Sequence, residues 1–195
     1  LGRYEEAQAA GRWVSDIFRS HSQWLALAKL TSNLAIIHGR MGQDEAALQL
    51  LNQAYDLYCS HETAPEEHLL RVDQNRAIVL RNLGRFQNSI KLNKKTLAAY
   101  QHLGHAFDAA QVLQVLATTY YIMGRYNEAL ASLDKARKIF FDDGRQRHAM
   151  LVELFVCDCL LQLSRFTDIV DKCQAARKLF HALGNSFEIG QSFLI

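Results

Sequence analysis

The feature that most restricts this chain is a corner that returns at a fixed interval. The strings LGRYEEA from Leu1, MGQDEAA from Met41, LGRFQNS from Leu83, MGRYNEA from Met123 and LSRFTDI from Leu163 share one pattern: apolar, small, basic or polar, then the opening of a helix. Their second residues, Gly2, Gly42, Gly84, Gly124 and Ser164, lie 40, 42, 40 and 40 residues apart. A second set, Gly104, Gly144 and Gly184, sits half a period out of phase. Two corners per period mean two helices per unit, because glycine suits the left-handed backbone that closes a helix and a short turn sends the next helix back along the last.

Apolar residues between corners return every three or four positions, as in Leu113, Leu116, Ala117 and Tyr120, and again in Ala129, Leu133, Ala136 and Ile139. The spacing predicts helices over 4–20, 22–40, 44–60, 66–82, 86–102, 106–123, 126–141, 146–163 and 166–182, with a further stub from 186. One proline in 195 residues agrees with long uninterrupted helices. Small residues seven positions before the corner (Ala35, Ala77, Ala117, Cys157) face small residues on the following helix (Ala47, Ala129, Ala54, Ala136), which allows close packing within a pair. Ser89, Asn93 and Thr96 stand where an earlier helix has Ala47, Leu51 and Ala54, so that pair is expected to pack less closely or to face a partner.

This layout resembles the tetratricopeptide repeat, most closely in MGRYNEALASLDKA over residues 123–136. The unit is longer than the usual length of about 34 residues, and the proline expected after the second helix is missing. Forty-residue units are similar to those of bacterial signal-transducing (STAND-type) ATPase regulators, peptide-sensing regulators, partners of caspase-like CHAT peptidases and animal polarity scaffolds. The resemblance implies an all-α, right-handed superhelical solenoid of about ten helices, a single repeat array over 1–195 excised from a larger protein. It also implies a concave face lined by the first helix of each pair.

The expected groove is formed by 22–40, 66–82 and 106–123. Its candidate partner-binding residues are Lys29, Asn33, Arg40, Arg71, Gln74, Asn75, Arg81, Gln111, Gln114, Thr118 and Tyr121. Amide side chains can bond the unpaired backbone of an extended peptide, and arginine or lysine beside them selects a carboxylate or phosphate. Lys29/Asn33 and Arg71/Asn75 are each four apart and so share a helix face. Further along, Leu151, Leu154, Phe155, Asp158 and Leu161 make the face apolar, as a hydrophobic pocket or as a surface covered by further sequence. Terminal helices 4–20 and 186–195 are expected to stack against another copy.

Catalysis finds little support. No Gly-rich segment ends in Gly-Lys-Ser/Thr, Cys59 and His61 lack a third orienting group, and His102 and His105 straddle a turn glycine without further ligands. The expectation is therefore no enzyme, no metal and no cofactor. Twenty-two basic against 20 acidic side chains give a net charge of +2, too balanced to recruit nucleic acid, and KLNKK from Lys91 reads as a solvated face. No apolar run spans a bilayer, and four irregularly spaced cysteines read as reduced thiols, so the chain is expected in the cytoplasm. Cys157 and Cys159 point about 200° apart on a helix and are read as core residues. The expected function is a non-catalytic module binding a protein or peptide, with an acidic preference; the alternative is a ligand-sensing domain of a larger regulator.

Overall fold

The computed structural model describes residues 3–61 and 63–182. Within them the chain forms nine helices: α1 (Arg3–Ser20), α2 (Trp24–Arg40), α3 (Asp44–Cys59), α4 (Glu66–Asn82), α5 (Phe86–His102), α6 (Ala106–Ile122), α7 (Tyr126–Asp142), α8 (Gln146–Gln162) and α9 (Thr167–Ala182). No strand occurs among the described residues. Each helix meets its sequence-based expectation to within two residues at either end. The corners at Gly2 and Gly184 and the stub from 186 lie outside the described residues.

The corners are built alike. At Gly124 the backbone takes φ 71°, and the next residue, Arg125, donates its N–H to the carbonyl of Tyr120, five residues back, at 2.9 Å. That bond occupies one of the carbonyls a helix end leaves open, and a side chain at φ 71° would be strained. The same long-range bond runs from Gln23 to Phe18, Gln43 to His38, Arg85 to Leu80, His105 to Tyr100, Arg145 to Phe140 and Arg165 to Leu160. Two corners use serine instead of glycine, Ser22 at φ 54° and Ser164 at φ 56°. The Ser22 corner moves the start of α2 from the expected 22 to Trp24. The α3–α4 connection is the exception: it is longer, and Pro65 caps α4 with φ −62°, an angle proline holds without cost.

The chain divides into two compact units, Leu1–Thr96 and Leu97–Ile195, the division falling within α5. In the first, α1 packs on α2, α2 on α3 and α3 on α4; in the second, α6 packs on α7, α7 on α8 and α8 on α9. The small residues expected at the pair contacts are where the helices touch. Ala35, Ala47 and Ala54 are buried in the first unit, and Ala117, Ala129, Ala136 and Cys157 in the second. Leu51 and Leu133 fill the same place on α3 and α7. In α1, Gly11 has the same use: a Cβ there would stand 2.4 Å from a methyl of Leu34 on α2.

The pair α4–α5 departs from what the sequence suggested. Ser89, Asn93 and Thr96 neither loosen the pair nor face outward; all three are fully buried. Ser89 donates to the Ala77 carbonyl at 2.7 Å, Thr96 bonds back to Leu92 at 3.0 Å, and the Asn93 amide nitrogen reaches Ser89 at 3.4 Å. Nearby Asp73, 1 % exposed, accepts from Arg76 at 2.8 Å and from Lys95 at 3.2 Å. These bonds offset most of the cost of burying the polar groups, the Asn93 carbonyl oxygen excepted. Glu153 of α8, two periods after Asp73, is likewise buried and held by Arg137 at 3.3 Å and Lys172 at 2.5 Å.

Candidate functional site

In the first unit, α2 and α4 flank a hollow of about 330 Å³. From α2 it takes Lys29, Ser32, Asn33 and Ile36; from α4, His68, Arg71, Val72 and Asn75; and Tyr58 at the end of α3 also lines it. Ile36 and Asn75 also line a second hollow of about 230 Å³, walled mainly by Ala35, Leu51, Ile78 and Val79, with Arg40 and Asn82 at its edge. A polar, basic compartment thus adjoins an apolar one along the same two helices.

The charges in the first compartment have one sign. Lys29 and Arg71 are exposed, and among the described residues no acidic side chain lines the hollow. Burial, and then the charges of Lys29 and Arg71, hold the His68 imidazole below its ordinary range, with Glu67 opposing. Burial raises the Tyr58 phenol while Arg71 pulls it the other way. The His68 ring lies 5.4 Å from that of Tyr58. The Ser32 hydroxyl is buried with no hydrogen-bond partner among the described residues. An anion with acceptor oxygens would meet two cations, two amides and these hydroxyls here.

Of the residues picked from the sequence, Lys29, Asn33, Arg71 and Asn75 line the polar hollow and Arg40 the apolar one. Gln74 is half-buried on α4 and lines neither. Arg81 is drawn instead toward the start of α3: it donates to Asn82 at 3.1 Å, Asn82 donates to Asp44 at 3.1 Å, and burial lowers the Arg81 guanidinium pKa against the pull of Asp44. Tyr58 and His68 add to the candidates: Tyr58 comes from α3, a second helix, while His68 lies on the same face of α4 as Arg71 and Asn75, one turn before Arg71. The signal for His68 was its spacing of three and seven residues from Arg71 and Asn75; Tyr58 carried none.

Gln111, Gln114, Thr118 and Tyr121 lie half-buried on α6 in the second unit, where Thr118 bonds back to the Gln114 carbonyl at 2.9 Å. The Tyr121 ring meets Tyr126 and Phe155 edge-on, each at 5.4 Å. On α8, Leu154 is buried, Leu151, Phe155 and Asp158 are half-buried, and Leu161 is exposed. Burial raises the Asp158 carboxyl, and burial together with Asp158 pushes the Cys159 thiol up to about 11. Cys157 and Cys159 are both fully buried, so α8 hides more of its circumference than a two-apart pair on one stripe would allow.

The other chemical candidates have ordinary surroundings. The His61 ring stacks on Trp24 with centroids 3.7 Å apart, while Cys59 is exposed. His105 lies 3.8 Å from Asp108 and against the Tyr100 ring. Among the described residues, no three histidine, cysteine, aspartate or glutamate side chains gather as metal ligands, and no helix is long and apolar enough to cross a membrane.

Stacked helix pairs with like corners define a repeat solenoid, a class of protein that typically serves as a scaffold. Two family models described as tetratricopeptide repeat match residues 27–61 and 68–140, together more than half of the sequence, and the chain belongs to the tetratricopeptide-repeat family. A search of curated proteins finds no match. Among solved structures, the chain is similar to BtubC (BKLC) from P. vanneervenii, at 17% identity and a TM-score of 0.76, with 98% of this chain covering 80% of that one. It is also similar to aspartyl phosphate phosphatase F from Bacillus subtilis, at 13% identity and 0.80, with 86% of this chain covering 44% of that one. A third is the Rap conjugation gene regulator of plasmid pLS20 in complex with the Phr* peptide, at 10% identity and 0.74, with 96% of this chain covering 52% of that one. The chain thus spans about half the length of the last two, and at these identities the likeness is one of fold.

Proposed function

We propose that this chain is a non-catalytic interaction module that holds an extended peptide segment of a partner between α2 and α4, with a preference for an acidic group. One observation carries the reading: Lys29, Asn33, Arg71 and Asn75 line a single hollow whose described wall residues include no acid. Asn33 and Asn75 bond the ligand's main chain, Lys29 and Arg71 take its carboxylate, and the adjoining compartment around Ile78 and Val79 takes an apolar side chain. A cytoplasmic setting belongs to the same proposal, since the four cysteines have no spacing of a disulfide framework.

The test is binding of acidic peptides to the wild type and to the double variant Lys29→Glu/Arg71→Glu. Affinity is expected to fall at least about tenfold, and the difference to shrink as salt rises from about 50 to 500 mM. Equal affinity in both proteins would retire the reading. A second reading, a sensor domain whose ligand changes its conformation, has support in the peptide-bound regulator of similar fold. It predicts a ligand-dependent change in scattering radius, where a scaffold predicts none.

A further inference from the structure

Three acids on the first helices of pairs are removed wholly or partly from water, and they are treated differently. Asp73 is held by Arg76 and Lys95, and Glu153 by Arg137 and Lys172. Asp158 has no such partner: among the described residues no lysine or arginine pairs with it, and burial raises its carboxyl. It is only half-buried. Three residues earlier on the same face of α8 stands Phe155, whose ring lies 5.4 Å from Tyr121 of α6. The Tyr121 ring also meets Tyr126 edge-on at 5.4 Å, so it is held between two aromatic neighbours.

A carboxylate drawn partly out of water beside aromatic rings, with no cation paired to it, is favourably placed to receive one. The faces of aromatic rings are themselves negative, so Tyr121 and Phe155 do not relieve the charge; they attract the same ligand. We infer that Tyr121, Phe155 and Asp158 form a binding site for the guanidinium of an arginine in a partner polypeptide. Arginine fits better than lysine because its planar, weakly hydrated head can lie on a ring while donating two hydrogen bonds to one carboxylate. The site lies wholly within the second unit and does not depend on the hollow between α2 and α4.

The experiment titrates N-acetyl-L-argininamide into the isotopically labelled chain and follows the ring resonances of Tyr121 and Phe155. A saturable shift is expected in the millimolar range, with N-acetyl-L-citrullinamide, equal in shape but uncharged, at least about tenfold weaker. Asp158→Asn should lose that preference, and Lys29→Glu/Arg71→Glu should keep it. Asp158→Asn removes a charge that has no partner and is expected to fold; its circular dichroism verifies this, and the argininamide–citrullinamide comparison in the wild type decides the matter independently. Equal binding of the two amides, unaltered argininamide binding in folded Asp158→Asn, or no saturable shift up to tens of millimolar would each overturn the assignment.

Discussion

The helix pairs α4–α5 and α6–α7 occupy like positions in successive periods, yet their buried faces are made of different chemistry. Facing α6, α7 presents Ala129, Leu133 and Ala136, all fully buried and apolar. At the corresponding places α5 presents Ser89, Asn93 and Thr96, also fully buried, with Asp73 on α4 close by. Both solutions close the pair, but by opposite means. The apolar seam rests on area withdrawn from water and tolerates small shifts, because dispersion and hydrophobic contacts have no direction. The polar seam rests on bonds of fixed geometry, such as Ser89 to the Ala77 carbonyl, and therefore specifies which residue sits opposite which. What the polar seam gives up in burial energy it recovers as register.

The largest effect expected from probing this contrast is in the apolar pair. Leu133→Ala removes a fully buried side chain from α7 and should destabilise the chain by about 2–5 kcal/mol in urea titration. Next comes Asp73→Asn, which weakens two charge-assisted bonds while leaving the half- to well-exposed Arg76 and Lys95 in contact with water; the loss should be roughly 1–2 kcal/mol. Asn93→Leu restores the residue type found at Leu51 and Leu133. Because the Asn93 carbonyl oxygen has no donor among the described residues, the change should leave stability unaltered or raise it by up to about 1 kcal/mol. A clear loss there would mean that the polar seam contributes more through its network than its separate bonds indicate.

The smallest effect is one of pH, and it treats the two units alike. His68 and His148, two periods apart, both have imidazoles held below the ordinary value, chiefly by burial, with Lys29 and Arg71 acting on the first and Arg145 and Arg147 on the second. A lowered folded pKa means that the neutral ring is favoured in the native state. Its contribution is therefore complete above about pH 6.5 and is lost as pH falls through the folded value. The melting temperature should decline modestly between pH 7 and 5, and the decline should lessen in His148→Gln. A midpoint that rises on acidification would contradict the burial of these rings.

The backbone was nearly all legible before the coordinates, because left-handed corners are written in glycine and the stripe between them has a helical period. Ser22 was overlooked for the same reason: serine seldom takes φ 54°, so nothing in its identity advertised a corner. In the candidate site, Lys29, Asn33, Arg71 and Asn75 could be grouped because four-residue spacing is a property of one helix. His68 shares that face of α4, three residues before Arg71, whereas Tyr58 joins them from the end of α3 by tertiary packing, which no spacing announces. The fate of Ser89, Asn93 and Thr96 was illegible in a different way. Polarity alone does not distinguish a hydroxyl turned to water from one turned to a carbonyl across the interface.

Because the Gly104, Gly124, Gly144 and Ser164 corners share one hydrogen-bond pattern and stand twenty residues apart, the chain is modular at the level of the gene. Excising forty codons between two like corners, from Gly104 to just before Gly144, rejoins a helix end to the same kind of bend it had before. The one interval of 42 residues, from Gly42 to Gly84, places its two extra residues in the α3–α4 link, where they leave the stripes of both helices in phase.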